Sequence, residues 1–194
     1  MKTPDSRLPM LFLNQGEMTI LDRPTLVSTV LGSCAAITFF CRRLSVAAIS
    51  HALLPHCRRR VHVDNIKDLL SQDCVHCPEA YKYVDCAICM MTEAFSRLGI
   101  AQAETEVRLY GGSKMIASLH QPGGMAPVGH QNTDTAKKII ADHGLKLHEC
   151  NVGGTGGRKI IFNTQTGQVT LLKTGLPDPP VFPVHPQAQK GRSL

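Results

Sequence analysis

Tryptophan is missing from this chain, and aromatic side chains make up 5% of its 194 residues. That scarcity leaves no platform of interleaved aromatic and basic residues on which bases could stack. The basic residues are scattered, apart from Arg58–Arg60 and the ends. No nucleic-acid partner is expected, and the net charge of +6 reads as well as attraction to an acidic protein surface. No apolar run approaches the ~20 residues that a membrane-spanning helix needs. The stretch Leu8–Leu13 is short, contains Pro9 and lacks a small-residue cleavage pattern, so it does not read as a secretion signal. A cytoplasmic location without membrane insertion is the expectation.

Cysteine, by contrast, is abundant. Eight of them in a chain with no secretion signal do not read as a disulfide framework. In a reducing compartment they are packed thiols, metal ligands or a nucleophile. Cys74-Val75-His76-Cys77 followed by Cys86-Ala87-Ile88-Cys89 has the ligand types of a tetrathiolate zinc site. The eight residues between the two pairs are fewer than in the common ribbon pattern. On a helix, Cys86 and Cys89 would share a face nearly opposite the apolar stripe. Packed thiols are the preferred reading, and neither a metal nor another cofactor is assigned.

The C-terminal segment from Leu176 carries Pro177, Pro179, Pro180, Pro183 and Pro186 and ends in polar and basic residues. It reads as an extended appendage, so the domain runs from about residue 10 to about residue 175. Within it, Glu17–Leu21, Thr25–Leu31, Glu106–Tyr110, Leu145–Cys150, Lys159–Asn163 and Gln168–Lys173 read as strands. Ala35–Cys41 and Val46–Leu53 are continuous β-prone apolar runs separated by a hairpin-length connection. Glu79–Leu98 reads as a helix with Val84, Ala87, Ile88, Met91, Phe95 and Leu98 on one face and Gly99 as its stop. A second helix is expected from Asn132, as cap, to His143, and a short one at Asn65–Leu70. The fold class is therefore a layered α/β (α+β) domain, a mostly antiparallel sheet flanked by two or three helices.

The run Thr29-Val30-Leu31-Gly32-Ser33-Cys34 ends a strand, turns through Gly-Ser and presents a thiol. A glycine beside a nucleophile lets backbone N–H groups approach a reacting carbonyl. If Arg42-Arg43 form a two-residue turn, antiparallel pairing places Cys34 opposite His51, a thiol facing an imidazole. A four-residue turn would shift that pair by two residues. Each residue alone is compatible with a purely structural role.

Six blocks extend this reading. They are Leu31-Gly32-Ser33-Cys34, Ser50-His51-Ala52-Leu53-Leu54-Pro55, Tyr83-Val84-Asp85-Cys86-Ala87-Ile88, Tyr110-Gly111-Gly112-Ser113-Lys114-Met115, Val128-Gly129-His130-Gln131-Asn132 and Gly153-Gly154-Thr155-Gly156-Gly157-Arg158-Lys159. In this order they resemble the CheD family of chemoreceptor glutamine deamidases. The resemblance implies a sandwich fold shared with deamidating toxins and a Cys–His–Thr catalytic set. Cys34 would be the nucleophile and His51 the base. The hydroxyl that orients the imidazole falls on Ser28 by position, with Thr29 as the alternative, since neighbouring strand residues point to opposite faces. The implied substrates are methyl-accepting chemotaxis receptors, with a CheC-type phosphatase as a further partner. His130-Gln131 departs from the acidic-basic pair usual in the family, which bears on partner contacts. Gly156 stands near a position the family usually fills with another residue, so a mobile Gly153–Gly157 loop is expected. That loop lacks the lysine and following helix of a phosphate cradle.

Overall fold

The computed structural model describes residues 8–57, 77, 79–114 and 126–174. Among these residues the strands are β1 (Met10–Phe12), β2 (Met18–Leu21), β3 (Leu26–Leu31), β4 (Ala35–Cys41), β5 (Val46–Ala52), β6 (Thr105–Gly111), β7 (Leu147–Val152), β8 (Gly157–Asn163) and β9 (Val169–Thr174). The helices are α1 (Val84–Arg97) and α2 (Val128–Asp142). The expected helix at Asn65–Leu70, Cys74 and the proline-rich tail lie outside the described residues.

β4 and β5 are buried at every position. A strand covered on both faces is mostly apolar, and both read as such, with Thr38 in β4 and Ser50 and His51 in β5 as buried polar exceptions. They lie at the centre of a five-stranded sheet ordered β2-β5-β4-β6-β7. A four-stranded sheet, β1-β3-β8-β9, forms a second unit. Five of the seven pairings are antiparallel, while β1–β3 and β6–β7 are parallel. The mostly antiparallel sheet with flanking helices is thus present, divided into two sheets.

Two cores follow from the alternation of side chains. Ile37, Phe39, Cys41, Ala48 and Ala52 pack with Ile88, Met91 and Phe95 of α1 and Ala136, Ile139 and Ile140 of α2. Ala36, Phe40, Ala47 and Ile49 point the other way and pack with Val27, Leu31, Ile160 and Phe162 of the second sheet. The order of layers is sheet, sheet, helices. Phe39 is fully buried and meets Phe95 edge-on at 5.5 Å between centroids. Phe39→Ala is expected to destabilise the domain by about 3–5 kcal/mol through lost transfer energy and the cavity left behind. Leu98→Ala should cost under about 0.5 kcal/mol. Urea unfolding midpoints of the two variants check the contrast.

Several expectations shift. Leu98 is 49% exposed and does not join the stripe, because α1 ends at Arg97. α1 also starts later than Glu79. Ala80–Lys82 form a 3-10 turn, and Tyr83 is extended before the helix begins. Cys86 and Cys89 are both buried, in different clusters. Cys89 joins the main core, and Cys86 packs with Cys57 and Ala80. Asn132 lies inside α2, which begins after Pro127. β1 was not expected. Its three residues are exposed, and it is held by a parallel ladder to β3 that leaves no local pattern.

Candidate active site

The β4–β5 connection is the four-residue loop Arg42–Ser45, with Ser45 at φ 52°. A tight two-residue turn needs positive φ at both central residues, which two arginines do not favour. Here Arg43 instead pairs with Glu104 and Arg42 with Glu106. The two-residue turn and the direct Cys34–His51 rung are therefore overturned. His51 stands opposite Ala36, and Cys41 opposite Val46. Cys34 precedes Ala36 by two residues and packs in the same inter-sheet layer as Ala36, so thiol and imidazole occupy a diagonal of one face. Diagonal neighbours are about 7–8 Å apart between Cα atoms, within reach of longer side chains.

β3 delivers the third group. Val27 and Leu31 face the five-stranded sheet, and Thr29 between them does the same. The Thr29 Oγ1 lies 2.7 Å from His51 Nδ1 and donates to the Leu13 carbonyl at 2.8 Å. One hydroxyl has one proton. Having given it to Leu13, Thr29 accepts from His51, so Nδ1 carries the hydrogen and Nε2 has a free lone pair. Nε2 is buried with no hydrogen-bond partner among the described residues. Of the two hydroxyls considered from sequence, Ser28 points away, and its buried Oγ also has no partner among these residues. Strand alternation could have separated the two only with knowledge of which face of β3 meets the other sheet.

The His51 backbone is clamped as well. Its N–H donates to the Glu17 carbonyl at 2.9 Å, and its carbonyl accepts from Gly16 at 2.7 Å. Leu13 and Gly16 act through the backbone alone, and nothing in their side chains announces this. Burial holds the imidazole below the ordinary histidine value, while the Leu13 carbonyl and the Glu17 carboxylate pull it partly back. Burial likewise pushes the Cys34 thiol up, offset in part by a hydrogen bond from its own backbone. Cys34 as a residue is 8% exposed, more than most of the core residues around it. Both shifts favour the neutral forms of the two groups.

The Gly32–Cys34 turn is gripped from three sides. Gly112 N–H donates to the Cys34 carbonyl and Ser113 N–H to the Gly32 carbonyl, each at 2.8 Å. Asn132 of α2 donates through Nδ2 to the carbonyls of Ser33 at 3.0 Å and Leu53 at 2.9 Å. Arg158, buried, donates to Ser113 Oγ, to Asn151 and to the Gly153 carbonyl, while Ser113 Oγ donates to Gly156. The glycine loop expected to be mobile is thus tied at Gly153 and Gly156. Among the described residues no three His, Cys, Asp or Glu side chains stand together as metal ligands, and no helix is long and apolar enough to cross a membrane.

A family model described as "CheD chemotactic sensory transduction" matches residues 71–173. A Geobacter sulfurreducens protein named "Probable chemoreceptor glutamine deamidase CheD 2" is 39% identical over 168 residues, covering 86% of this chain and 91% of that one. A relative from Oleidesulfovibrio alaskensis, "Probable chemoreceptor glutamine deamidase CheD", is 39% identical over 85% of this chain and 73% of its own length. One of the same name from Maridesulfovibrio salexigens is 35% identical, covering 87% and 94% respectively. Similarity of this extent, over a chain whose blocks fall in the family's order, means that the chain belongs to the CheD family.

Proposed function

We propose that this protein is a cytoplasmic protein-glutamine deamidase that converts glutamines of methyl-accepting chemoreceptors to glutamate, with Cys34 as nucleophile and His51 as base. The observation that carries the reading is the directional chain Leu13–Thr29–His51. It leaves one bare imidazole nitrogen in the layer that also holds the thiol. The names of the relatives supply the substrate class.

His51 Nε2 takes the thiol proton as sulfur attacks the side-chain carboxamide carbon of the substrate. The N–H groups of Ser33 and Cys34, which donate to no backbone carbonyl among the described residues, are the candidates to receive the oxyanion. Imidazolium then protonates the departing nitrogen, ammonia leaves and a thioester remains. Water attacks the thioester and gives a proton to His51. The thiol reforms on receiving that proton, and the product is glutamate. Each cycle consumes one water, releases one ammonia and adds a negative charge to the receptor. A phosphatase of the CheC type is the regulatory partner in this reading.

The test is mass spectrometry of a receptor cytoplasmic fragment incubated with the wild-type protein, which gains about one dalton per converted glutamine. Unchanged mass, with binding retained by Cys34→Ala, would leave only an adaptor role. The same assay separates the two hydroxyls. Thr29→Val removes the acceptor that fixes the imidazole and is expected to lower kcat by about 10–100-fold. Ser28→Ala should leave kcat within about twofold, since its hydroxyl does not reach the imidazole. The reverse order would reassign the orienting group.

A further inference from the structure

Asn132 is fully buried in α2, and its amide reaches two segments that are far apart in sequence. One N–H goes to the carbonyl of Ser33, immediately before Cys34. The other goes to the carbonyl of Leu53, two residues after His51. These points lie just beyond the end of the β4–β5 ladder, whose last rung is Ala35–Ala52. Past that rung no ladder bond joins the strands. The two hydrogens of one side chain supply the missing link.

The arrangement leaves an unpaired group. Asn132 Oδ1 is buried with no partner among the described residues. A buried carbonyl oxygen without a donor is unfavourable, and apolar packing at this position would avoid it. The donors are what the site retains.

Ser33 O belongs to the peptide whose nitrogen is that of Cys34. A hydrogen bond to the oxygen of a peptide polarises its N–H and fixes the plane in which that N–H points. Gly112 and Ser113 hold the flanking carbonyls of Cys34 and Gly32. All three carbonyls of the turn are therefore engaged as acceptors. Among the described residues, Asn132 is the one side chain whose hydrogen bond is made to a carbonyl of this turn.

We infer that Asn132 is a positioning residue for the deamidation reaction: its amide aims and polarises the Ser33–Cys34 peptide so that the Cys34 N–H receives the oxyanion, and ties that peptide to the strand carrying His51. This rests on the cysteine-hydrolase reading above. It assigns the amide a role in transition-state stabilisation, not in generating the nucleophile.

The distinction is measurable. Alkylation of Cys34 by iodoacetamide requires the thiolate and forms no tetrahedral oxyanion, whereas deamidation requires both. Asn132→Asp keeps the shape and removes the donors. It is expected to lower kcat for a receptor fragment by about 10–100-fold with KM within about twofold. The Cys34 alkylation rate should stay within about threefold of wild type. Asn132→Ser, which keeps one donor, should show the same split with a smaller loss. Wild-type turnover by both variants overturns the inference. So does an alkylation rate that falls in step with kcat, because the amide would then act on the nucleophile itself. Loss of the fold in both variants, read by circular dichroism, also overturns it, the amide then serving the domain rather than the peptide. Wild type and Cys34→Ala run alongside keep the two claims apart. An inactive wild type or an active Cys34→Ala removes the hydrolase reading, while an inert Asn132 in an otherwise Cys34-dependent enzyme removes only this one.

Discussion

Cys34→Ala is expected to reduce glutamine conversion on a receptor fragment by on the order of 10⁴-fold or more, to the level of the uncatalysed reaction. His51→Ala should fall by about 10²–10⁴-fold, because the thiol remains but its proton has no nearby acceptor. The pH dependence identifies how the nucleophile is made. Burial holds the thiol above the ordinary 9.0, which favours its protonated form at neutral pH, as the proposed role of His51 requires. Alkylation of Cys34 should therefore rise with pH to a midpoint above 9.0, unlike a preformed thiolate–imidazolium pair, which is already reactive in mild acid. The base behaves in the opposite sense. Because the imidazole lies below the usual 6.5, it stays unprotonated as pH falls through that value. kcat/KM should hold through pH 6.5 and decline only below it. A thiol that alkylates with a midpoint well below neutrality would replace this account with an ion-pair mechanism.

Gly111→Ala should damage stability and turnover together. Gly111 has φ 110°, a region that side chains avoid. An added Cβ would overlap the Cys34 carbonyl oxygen, and would lie 3.1 Å from its carbonyl carbon and 3.2 Å from Ala35 Cα. These are backbone atoms at the nucleophile turn, in the centre of a five-stranded sheet, with no flexible side chain to yield. Strain and overpacking together suggest a loss of about 2–5 kcal/mol. The relief available is movement of Cys34 away from β6, which would also break the Gly112-to-Cys34 hydrogen bond. A displacement of about 1 Å at a reacting group costs about 10²-fold in rate. Gly99→Ala is the matching control. Its φ of 69° is also positive, but no atom lies within 4 Å of the added carbon. It should lose about 1–2 kcal/mol from backbone strain alone and keep its turnover. Urea midpoints and deamidation rates at a temperature where all three proteins are folded separate strain from displacement.

Much of the domain could be read from local pattern. The apolar runs Ala35–Cys41 and Val46–Leu53 correspond to the two strands buried on both faces, the second strand ending at Ala52. The helical stripe Val84, Ala87, Ile88, Met91 and Phe95 is buried as its spacing requires, and Gly99 and Gly144 follow the two helices at positive φ. Such features are set by residues within a turn or two of each other. The hairpin register was harder, because it depended on whether two arginines would occupy a tight turn. Their pairing with Glu104 and Glu106, some sixty residues away, accompanies the longer loop.

At the site, sequence singled out Cys34 and His51 and favoured Ser28 by position over Thr29, whereas Thr29 is the one beside the imidazole. That choice turned on which face of β3 meets the other sheet, a property of sheet stacking rather than of strand periodicity. In sequence Asn132 was read as a helix cap and as part of one family block, with no role at the site, and its amide finds its partners 99 and 79 residues away. β1 was invisible for the same reason, since three exposed residues gain their strand only by lying beside β3.

The amino-acid sequence by itself determined the apolar runs, the helix faces, the helix stops and the glycine-serine turn carrying a thiol. Each is an outcome of neighbouring residues meeting backbone sterics and water. Only the tertiary structure decided the offset between Cys34 and His51, the selection of Thr29 over Ser28 as the imidazole's neighbour, and the link from Asn132 to both strands. Those outcomes depend on how two sheets and a helix stack, and groups distant along the chain become neighbours only after their cores have been buried.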